Sequence, residues 1–417
     1  MTSLDVWPQL PLLIEGETDE RGVDNVIAEL KHSDRIRLIH LDCYFERSEL
    51  EILWTAMQVP FPELATLYLS RGWEEPDVPG LPDSFLGGSA PRLRYFILHG
   101  IAFSGFPKVL LFATHLVTLG LMNIPHPGYI SPETMAACLS VLTSLENLYF
   151  EFESPESFPD RESQHSFPPA RSVLPALTTL WFRGINEYLE DFVARIDTPR
   201  LCRLNVIFFN DIDFDTPELI QFISHSSILK APIEARVFFG GSSASVKLLP
   251  QAPYVKYFEV YILCREPNRQ LSFVAQICTT SSPLLSTTEN LVIFEHSKPG
   301  LDWSLWRDDG IENIEWLELL LPFTAVKNLY LSKRLAPRIA AALQEITRGG
   351  TTGMLPSLQN IYLEGFQPSE PVQEGIAQFV SVRQLTNHPV AISVWIDQVR
   401  DTSKEVDMGG PSVRNSR

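Results

Sequence analysis

The sequence predicts an α/β solenoid with parallel strands on a concave face and helices and loops on a convex face. Three observations predict this fold class: a six-residue apolar phrase returns along the chain, a proline or polar turn usually precedes it, and segments of helical character lie between the phrases. If a degenerate repeat near residues 233–239 is counted, the phrases return about every 29 residues on average. A single strand–loop–helix unit is unstable alone, whereas stacked units share one hydrophobic core. We therefore predict one solenoid of about 11 or 12 irregular repeats over residues 1–400.

The strands follow from the phrase L-x-x-L-x-L, in which other aliphatic or aromatic residues replace some of the leucines. The first residues of the phrases are Ile36, Leu64, Leu93, Leu116, Leu145, Leu177, Leu201, Val255, Thr288, Val326 and Leu358. We number the first residue of each phrase as position 0. Because alternate residues of a strand point to opposite sides of a sheet, positions 3 and 5 should be buried and positions 2, 4 and 6 should line an open face. A degenerate strand is expected near residues 233–239.

The helices are predicted between the phrases from start signals and apolar spacing. In residues 337–346, for example, Ile339, Ala340, Leu343 and Ile346 recur at spacings that share one helical face. The predicted helices are 23–32, 49–57, 131–142, 187–196, 216–224, 269–278, 311–321, 337–346 and 371–385.

Several stretches interrupt this alternation of strands and helices. Residues 74–91 and 153–175 are rich in proline, serine and acidic residues, which predicts long surface loops in place of helices. Residues 240–245 and 297–309 are interpreted as further insertions. Residues 401–417 have no apolar periodicity and are predicted to form a disordered tail.

The composition is that of a globular chain and disfavours several kinds of partner. Hydrophobic residues make up 45% of the chain, and the formal net charge of −18 argues against nucleic acid, whose protein partners carry basic surfaces. Residues 1–160 hold 23 acidic and 9 basic side chains, which would steer a basic partner to this half or serve only solubility. No secretory signal and no bilayer-spanning apolar stretch is visible, so we expect no membrane partner and a cytoplasmic or nuclear location.

Catalytic, cofactor and metal sites are not predicted. The five cysteines form no C-x-x-C pair, which argues against a zinc site or a disulfide framework. The chain contains no G-x-S-x-G, G-x-x-x-x-G-K-[ST], G-x-G-x-x-G or H-E-x-x-H motif. We therefore predict that the chain is not an enzyme and requires no cofactor or metal.

Several segments together resemble the leucine-rich-repeat region of basidiomycete F-box proteins. They include FPELATLYL from Phe61, ISPETMAACLSVLTSLENL from Ile130, LPALTTLWF from Leu174 and FTAVKNLYLSKRLAPRIAAALQEI from Phe323. The resemblance covers residues 7–395 and implies that the repeats recognise a protein, as the substrate-recognition repeats of F-box proteins in cullin-RING ubiquitin ligases do. The chain begins inside the repeats, so the ligase adaptor is expected as a partner only if an F-box is encoded upstream. Position 8 is often asparagine or cysteine in regular leucine-rich repeats, and in seven phrases here it is apolar or aromatic: Tyr44, Ile101, Ile124, Ile185, Phe209, Leu263 and Phe366. This predicts that the asparagine ladder is missing.

The candidate partner-binding residues are aromatic side chains of the open face. Position 4 carries Tyr68, Tyr149, Trp181, Tyr330 and Tyr362, and position 2 carries Tyr95 and Tyr257. Aromatic anchors dominate protein interfaces, although aromatic residues also favour strands and stack across neighbouring ones. We predict that these residues contact a protein, with Arg203 and Glu259 setting its orientation.

The predicted function is therefore non-enzymatic recognition of a protein partner by the concave face. Two alternatives stay open at this point. One is an enzyme whose site is assembled from loops, such as those near Trp303 or residues 154–175, and the other is a fragment without retained activity.

Overall fold

The computed structural model describes residues 10–18, 22–44, 46–71, 79–103, 108–155, 171–209, 216–226, 231–250, 256–295, 313–348, 354–365 and 370–395. The chain divides into two compact units, unit 1 with residues 1–209 and 217–227 and unit 2 with residues 210–216 and 228–417. A single solenoid over residues 1–400 stays a prediction. The predicted tail at 401–417 and the predicted insertion at 297–309, with Trp303, lie outside the described residues.

Unit 1 contains a parallel sheet whose strands lie side by side in chain order. Its strands are β1 (Leu12–Thr18), β2 (Ile36–Cys43), β3 (Thr66–Arg71), β4 (Tyr95–His99), β5 (Thr118–Ile124), β6 (Asn147–Phe152), β7 (Ser172–Val173), β8 (Thr179–Gly184), β9 (Ile196–Asp197) and β10 (Arg203–Phe208). The order in the sheet is β1-β2-β3-β4-β5-β6-β8-β10, while β7 and β9 form a separate parallel pair.

The connections of unit 1 are short helices and 3₁₀ turns. The helices are α1 (Val23–Leu30), α2 (Arg47–Ala56), α3 (Pro132–Leu139), α4 (Asn186–Val193) and α5 (Pro217–His225). The 3₁₀ segments are Phe85–Gly88, Lys108–Phe112 and His126–Gly128. All of the helices predicted in this part of the sequence are present, with ends shifted by a few residues, as is usual for helix termini.

The core of unit 1 lies between the sheet and the helices, as the phrase predicts. Leu67 and Leu69, at positions 3 and 5 of β3, are fully buried, as are their counterparts on the next strands. On α4, the buried Tyr188 ring lies 5.4 Å from that of Phe150 and 5.9 Å from that of Phe182, both inward-facing sheet residues. Helices therefore cover one sheet face, and positions 2, 4 and 6 lie on the other, which confirms the predicted fold class.

The stretch predicted as a surface loop at residues 74–91 is partly core. Phe85 is 2% exposed and Leu86 is fully buried, and the Trp54 ring of α2 meets the Phe85 ring edge-on at 6.2 Å. The prediction was wrong here because it used the polar composition of the stretch, whereas two apolar residues are enough to anchor a 3₁₀ turn beneath the sheet. In the second predicted loop, Ser172 and Val173 form β7.

Unit 2 contains the remaining strands and helices. They are β11 (Glu234–Phe239), β12 (Ser243–Leu249), β13 (Tyr257–Leu263), α6 (Pro267–Thr280), α7 (Ser282–Leu285), β14 (Asn290–Glu295), α8 (Asn313–Leu320), β15 (Asn328–Leu331), α9 (Ala336–Arg348), β16 (Asn360–Glu364), α10 (Glu370–Leu385) and β17 (Ala391–Trp395). Strands β11 and β14 to β17 are parallel neighbours in the order β11-β14-β15-β16-β17. On their inward side, the Phe239 ring of β11 lies 5.5 Å from that of Trp316 on α8.

An antiparallel insertion interrupts the repeats of unit 2. Strand β12 pairs antiparallel with both β11 and β13, so β13 is next to β12 and not next to β14. The residues predicted as an insertion, 240–245, contain the turn after β11 and the start of β12 at Ser243. The connection is too short for a helix, and adjacent strands joined by a tight turn must run antiparallel. A glycine suits the turn, because a Cβ on Gly240 would lie 3.1 Å from both the Phe238 ring and the Ser243 carbonyl oxygen, and one of them would have to shift.

In the described part of the chain, no helix has the length and apolar character needed to cross a lipid bilayer.

Candidate functional site

The open face of each unit is the sheet face opposite the helices, and strand register arranges its side chains in rows. In unit 1, the position 4 row from β1 to β10 contains Glu15, His40, Tyr68, Ile97, Gly120, Tyr149, Trp181 and Asn205. Neighbours in a row are about 4.8 Å apart in the backbone. The structure thus brings Tyr149 beside Trp181, but two strands separate Tyr68 from them.

Tyr68 belongs to the β2 end of this row. Its ring centroid lies 4.2 Å from that of His40, with the planes tilted by 41°. Burial raises the pKa of the Tyr68 hydroxyl, so the side chain is neutral at physiological pH. Between Tyr68 and Tyr149 the row is apolar and leaves no space for a further side chain. Ile97 is 3% exposed, and its Cγ1 lies only 3.0 Å from where a Cβ of Gly120 would be.

The middle of β6, β8 and β10 carries a patch that combines aromatic rings with guanidinium groups. We call Tyr149, Trp181, Arg183 and Arg203 the Trp181 patch. Tyr149 is in register with Trp181, Arg183 lies two residues further along β8, and Arg203 lies on β10 opposite Thr179. All of the patch side chains are half-buried.

The Trp181 patch holds hydrogen-bond donors that have no acceptor. The Nε1 of Trp181, the Nε of Arg183 and the Nε of Arg203 are buried, and none donates a hydrogen bond to any residue that the structure describes. Next to Trp181, the Oδ1 of Asn205 is also unpaired, and this side chain is 4% exposed. Because buried polar groups in proteins are normally paired, this arrangement suits a ligand that supplies hydrogen-bonding groups.

The electrostatics of the patch are set by burial and by the two arginines. Burial raises the pKa of Glu151, the register neighbour of Arg183, more than the guanidinium charge lowers it. The Trp181 N–H lies near this carboxyl group without the geometry of a hydrogen bond. Burial also raises the pKa of Tyr149, against the opposing effect of Arg203. The permanently charged groups of the patch are therefore both cationic.

Tyr95 lies apart from these residues. It occupies position 2 of β4 between Thr66 and Thr118, and 42% of it is exposed. Its neighbours in the row are threonines, so it is a single exposed ring and not part of an aromatic cluster.

In unit 2, Tyr330 and Tyr362 stack on the open face. Their ring centroids lie 4.4 Å apart with the planes 8° from parallel. Trp395 of β17 meets the Tyr330 ring edge-on at 5.5 Å, and its Nε1 donates a hydrogen bond of 3.4 Å to the carbonyl oxygen of Leu331. We call these three residues the tyrosine stack. Burial and the neighbouring Tyr362 hydroxyl raise the pKa of Tyr330, which keeps it neutral.

An asparagine ladder runs beside the tyrosine stack. Asn328 Nδ2 donates to Asn290 Oδ1, and Asn360 Nδ2 donates to Asn328 Oδ1, each at 2.8 Å. These residues occupy position 2 on three neighbouring strands, whereas the predicted absence of a ladder rested on position 8, where no asparagine occurs. The ladder was therefore missed, although the repeated Asn-apolar-Tyr of β15 and β16 was a visible signal.

Tyr257 does not join the tyrosine stack, because β12, β11 and β14 separate its strand from β15. Instead, the Nζ of Lys247 lies 4.1 Å from the centre of the Tyr257 ring and 2.8 Å from Glu259 Oε2. Glu259 is thus engaged within unit 2, and its predicted role in orienting a partner stays a prediction. The seven predicted aromatic residues are therefore distributed over separate groups and do not form one column.

Sequence reasoning missed Trp395, Phe238 and Phe294. The two phenylalanines face each other on β11 and β14, with ring centroids 5.5 Å apart. None of the three lies at position 2 or 4 of a recognised phrase. The strand pattern of β17 was visible in the sequence. Only the structure shows that its tryptophan, Trp395, contacts Tyr330.

Among the residues that the structure describes, no group of three or more His, Cys, Asp or Glu side chains is arranged to hold a metal ion. The described cysteines are free thiols, and burial raises the pKa of Cys43 to about 12.

Known leucine-rich-repeat proteins align with this chain in structure. No protein-family model and no curated protein sequence matches the chain. A leucine-rich-repeat-containing protein of Legionella pneumophila aligns with 12% identity and a TM-score of 0.29, covering 78% of this chain and 93% of that one. A leucine-rich-repeat protein of Leptospira interrogans aligns with 13% identity and a TM-score of 0.28, covering 91% of this chain and 100% of that one. The leucine-rich-repeat fold assigned here follows from the molecule itself: buried phrase residues, parallel strands in register and helices packed on their inward side.

Proposed function

We propose that this chain is a non-enzymatic protein-interaction module that binds a protein partner on the open face, in the cytoplasm or nucleus. The observation that carries the proposal is the Trp181 patch, in which buried donors without acceptors lie beside aromatic rings. The partner surface that fits it presents carbonyl or carboxylate oxygens next to an apolar group.

The chemistry of the patch supports recognition of a protein. Trp, Tyr and Arg are the residue types most enriched at interface hot spots, because each buries a large area and also forms hydrogen bonds. A partner that supplies acceptors to Trp181, Arg183 and Arg203 removes the cost of leaving those donors unpaired. The side chains lie on hydrogen-bonded parallel strands, so little conformational entropy is lost on binding.

The tyrosine stack supplies a second contact area. Its rings are held by each other and by the hydrogen bond from Trp395, and the half-buried asparagine ladder beside it runs across β14, β15 and β16. Rigid aromatic rings flanked by amides are suited to an extended polypeptide segment.

The test compares variants that change the patch in two ways. Trp181→Phe with Arg203→Gln removes donors and nearly preserves volume, and Tyr149→Ala with Trp181→Ala removes the rings. The matched control is Tyr44→Ala with Phe112→Ala, two side chains that are 57% and 63% exposed outside the patch. Proximity labelling should recover a partner with the wild type and the control but not with either patch variant.

Titration calorimetry with that purified partner then measures the affinity. We expect a loss of at least about ten-fold for both patch variants, because unpaired buried donors and lost aromatic contacts each cost on the order of 1–3 kcal/mol. Circular dichroism and urea unfolding control for the fold. Affinities within about two-fold of the wild type for both variants would remove the patch from the binding surface.

The resemblance to F-box proteins extends this proposal. If the repeats recognise a substrate of a cullin-RING ubiquitin ligase, the recovered partner should be ubiquitinated in a manner that depends on the Trp181 patch. The adaptor should co-purify with a product that carries an in-frame upstream F-box, and not with residues 1–417 alone. Adaptor binding by residues 1–417 alone would contradict this assignment of roles.

A further inference from the structure

An open groove of about 1030 Å³ lies along the edge of the unit 1 sheet where the chain enters the strands. It is lined by residues that flank the phrase leucines at positions −1 and 1, and it extends from Leu10 before β1 to Ala176 before β8. This surface is separate from the open face, so binding in the groove does not depend on the proposed function.

The β2–β4 end of the groove carries arginines at both lining positions: Arg35, Arg37, Arg92 and Arg94. Two of them are engaged, since Arg35 donates from Nε and Nη2 to the carbonyl oxygen of Leu10 at 3.2 and 3.1 Å, and Arg92 pairs with Glu63.

Arg37 and Arg94 are exposed and free. Neither guanidinium group forms a hydrogen bond or ion pair with any residue in the described part of the chain. Two guanidinium groups therefore face the groove with their donors available.

The spacing of Arg37 and Arg94 suits an extended chain. Both occupy position 1, on β2 and just before β4, and Ala65 lies between them, with its N–H donating to the Arg37 carbonyl oxygen at 2.9 Å. Two strand spacings are about 9.6 Å. This matches one turn of an extended peptide in the polyproline II conformation, about 9.3 Å for three residues, in which side chains three residues apart point the same way. Ala65, which lines the groove between Arg37 and Arg94, carries only a methyl side chain.

We infer that this groove binds an extended acidic segment of a protein partner, with carboxylates of Asp or Glu about three residues apart paired to Arg37 and Arg94. The planar guanidinium matches a carboxylate with two parallel hydrogen bonds, which gives both strength and geometric selectivity. Glu146 lines the β6 end of the groove, and Asp34 and Glu63 line the β2–β4 end, where Glu63 pairs with Arg92. The carboxylates of the segment are therefore placed at Arg37 and Arg94 only.

The charge of the surrounding chain argues against a nucleic acid in this groove. Residues 1–160 hold 23 acidic and 9 basic side chains, so a long polyanion is repelled from this half. A short segment avoids most of that repulsion, because its carboxylates meet two arginines at contact distance while the distant acidic residues are screened by salt.

The test uses fluorescence anisotropy with the full chain and two labelled nine-residue peptides. One has glutamates three residues apart in a Gly/Ser background, and the other has glutamine in their place. Wild type should bind the glutamate peptide at least about ten-fold more tightly, since each charge-assisted hydrogen bond is stronger than its neutral counterpart. This preference should decrease as salt rises.

Arg37→Gln with Arg94→Gln should abolish the preference. The control Arg200→Gln with Arg265→Gln removes the same charge from two exposed arginines outside the groove and should retain it. Trp181→Phe with Arg203→Gln should also retain it, which separates this site from the Trp181 patch.

Three results would overturn the inference: equal affinity for the two peptides, an equal loss in the Arg200/Arg265 control, or stronger binding of single-stranded RNA or inorganic phosphate than of the glutamate peptide. Thermal unfolding of each variant shows that the fold is retained.

Discussion

Tyr330 and Tyr362 face each other at a centroid distance of 4.4 Å, close to the separation of the hydrogen-bonded strands that carry them. Since the register places both at position 4, the backbone ladder holds the rings in contact. Trp395 closes the stack from the third strand. A surface of this kind is preorganised by main-chain hydrogen bonds and needs little side-chain ordering when a partner binds.

The tyrosine stack should show direct energetic coupling. In a double-mutant cycle, Tyr330→Ala and Tyr362→Ala should couple by about 0.5–1.5 kcal/mol in urea unfolding, the usual value for an aromatic pair. A control cycle of Tyr257→Ala and Tyr362→Ala, whose rings lie on separated strands, should be additive within about 0.5 kcal/mol. Equal coupling energies in the two cycles would show that the coupling does not come from contact between the Tyr330 and Tyr362 rings.

The asparagine ladder should be most sensitive at its centre. Asn328→Ala breaks two amide hydrogen bonds, whereas Asn290→Ala and Asn360→Ala each break one. At about 1 kcal/mol for each bond, the central variant should lose about 2 kcal/mol of unfolding free energy and the outer variants about 1 kcal/mol. Equilibrium urea denaturation measures the order, and three equal losses would show that the amides do not act as a ladder.

The hydroxyl of Tyr188 should contribute to stability separately from its ring. The Tyr188 hydroxyl donates a 2.9 Å hydrogen bond to the Ile130 carbonyl oxygen inside the core. Tyr188→Phe should therefore cost about 1–2 kcal/mol by leaving that buried carbonyl unpaired, and Tyr188→Ala about 3–5 kcal/mol by opening a cavity. Calorimetric unfolding of both variants checks the two magnitudes; a Phe variant as stable as wild type would show that the carbonyl finds another donor.

Gly120 should tolerate a side chain only if Ile97 is shortened. In wild type a Cβ at Gly120 would lie 3.0 and 3.1 Å from the Ile97 Cγ atoms, and Ile97 is too buried to move away freely. Gly120→Ala should cost about 1–3 kcal/mol from overpacking. In an Ile97→Ala background, Gly120→Ala should lower the free energy of unfolding, measured by urea denaturation, clearly less than in wild type. An equal loss in both backgrounds would show that the Gly120→Ala side chain does not clash with Ile97.

Stability should depend on the ionisation of Glu151. Burial raises its pKa in the folded state above the unfolded value, so the folded chain binds the proton more tightly than the unfolded chain does. The stabilisation that comes from binding this proton is fully present below the unfolded-state pKa of Glu151. It is lost as pH rises through the folded-state pKa of Glu151. The urea midpoint should therefore fall over that window in wild type and fall less in Glu151→Gln, with Glu153→Gln as the control. Identical pH profiles for wild type and Glu151→Gln would contradict the shift.

The sequence alone predicted the repeating units and which of their residues are buried. Leu67, Leu69, Leu329 and Leu331 are in the core because a strand alternates its side chains every residue, and this alternation is a local property that the phrase records. The helix between two phrases is equally local, since its start signals and apolar face lie within a single turn or two.

Which strands become neighbours was decided by the tertiary structure. From β11 to β13 the chain makes an antiparallel meander, so β13 lies next to β12. Tyr257 is therefore separated from Tyr330, although the phrase aligns them. The unpaired donors around Trp181, the asparagine ladder and the reach of Trp395 depend on hydrogen-bond register between segments far apart in the chain. Register is a property of two strands together, and no periodicity within one segment specifies it.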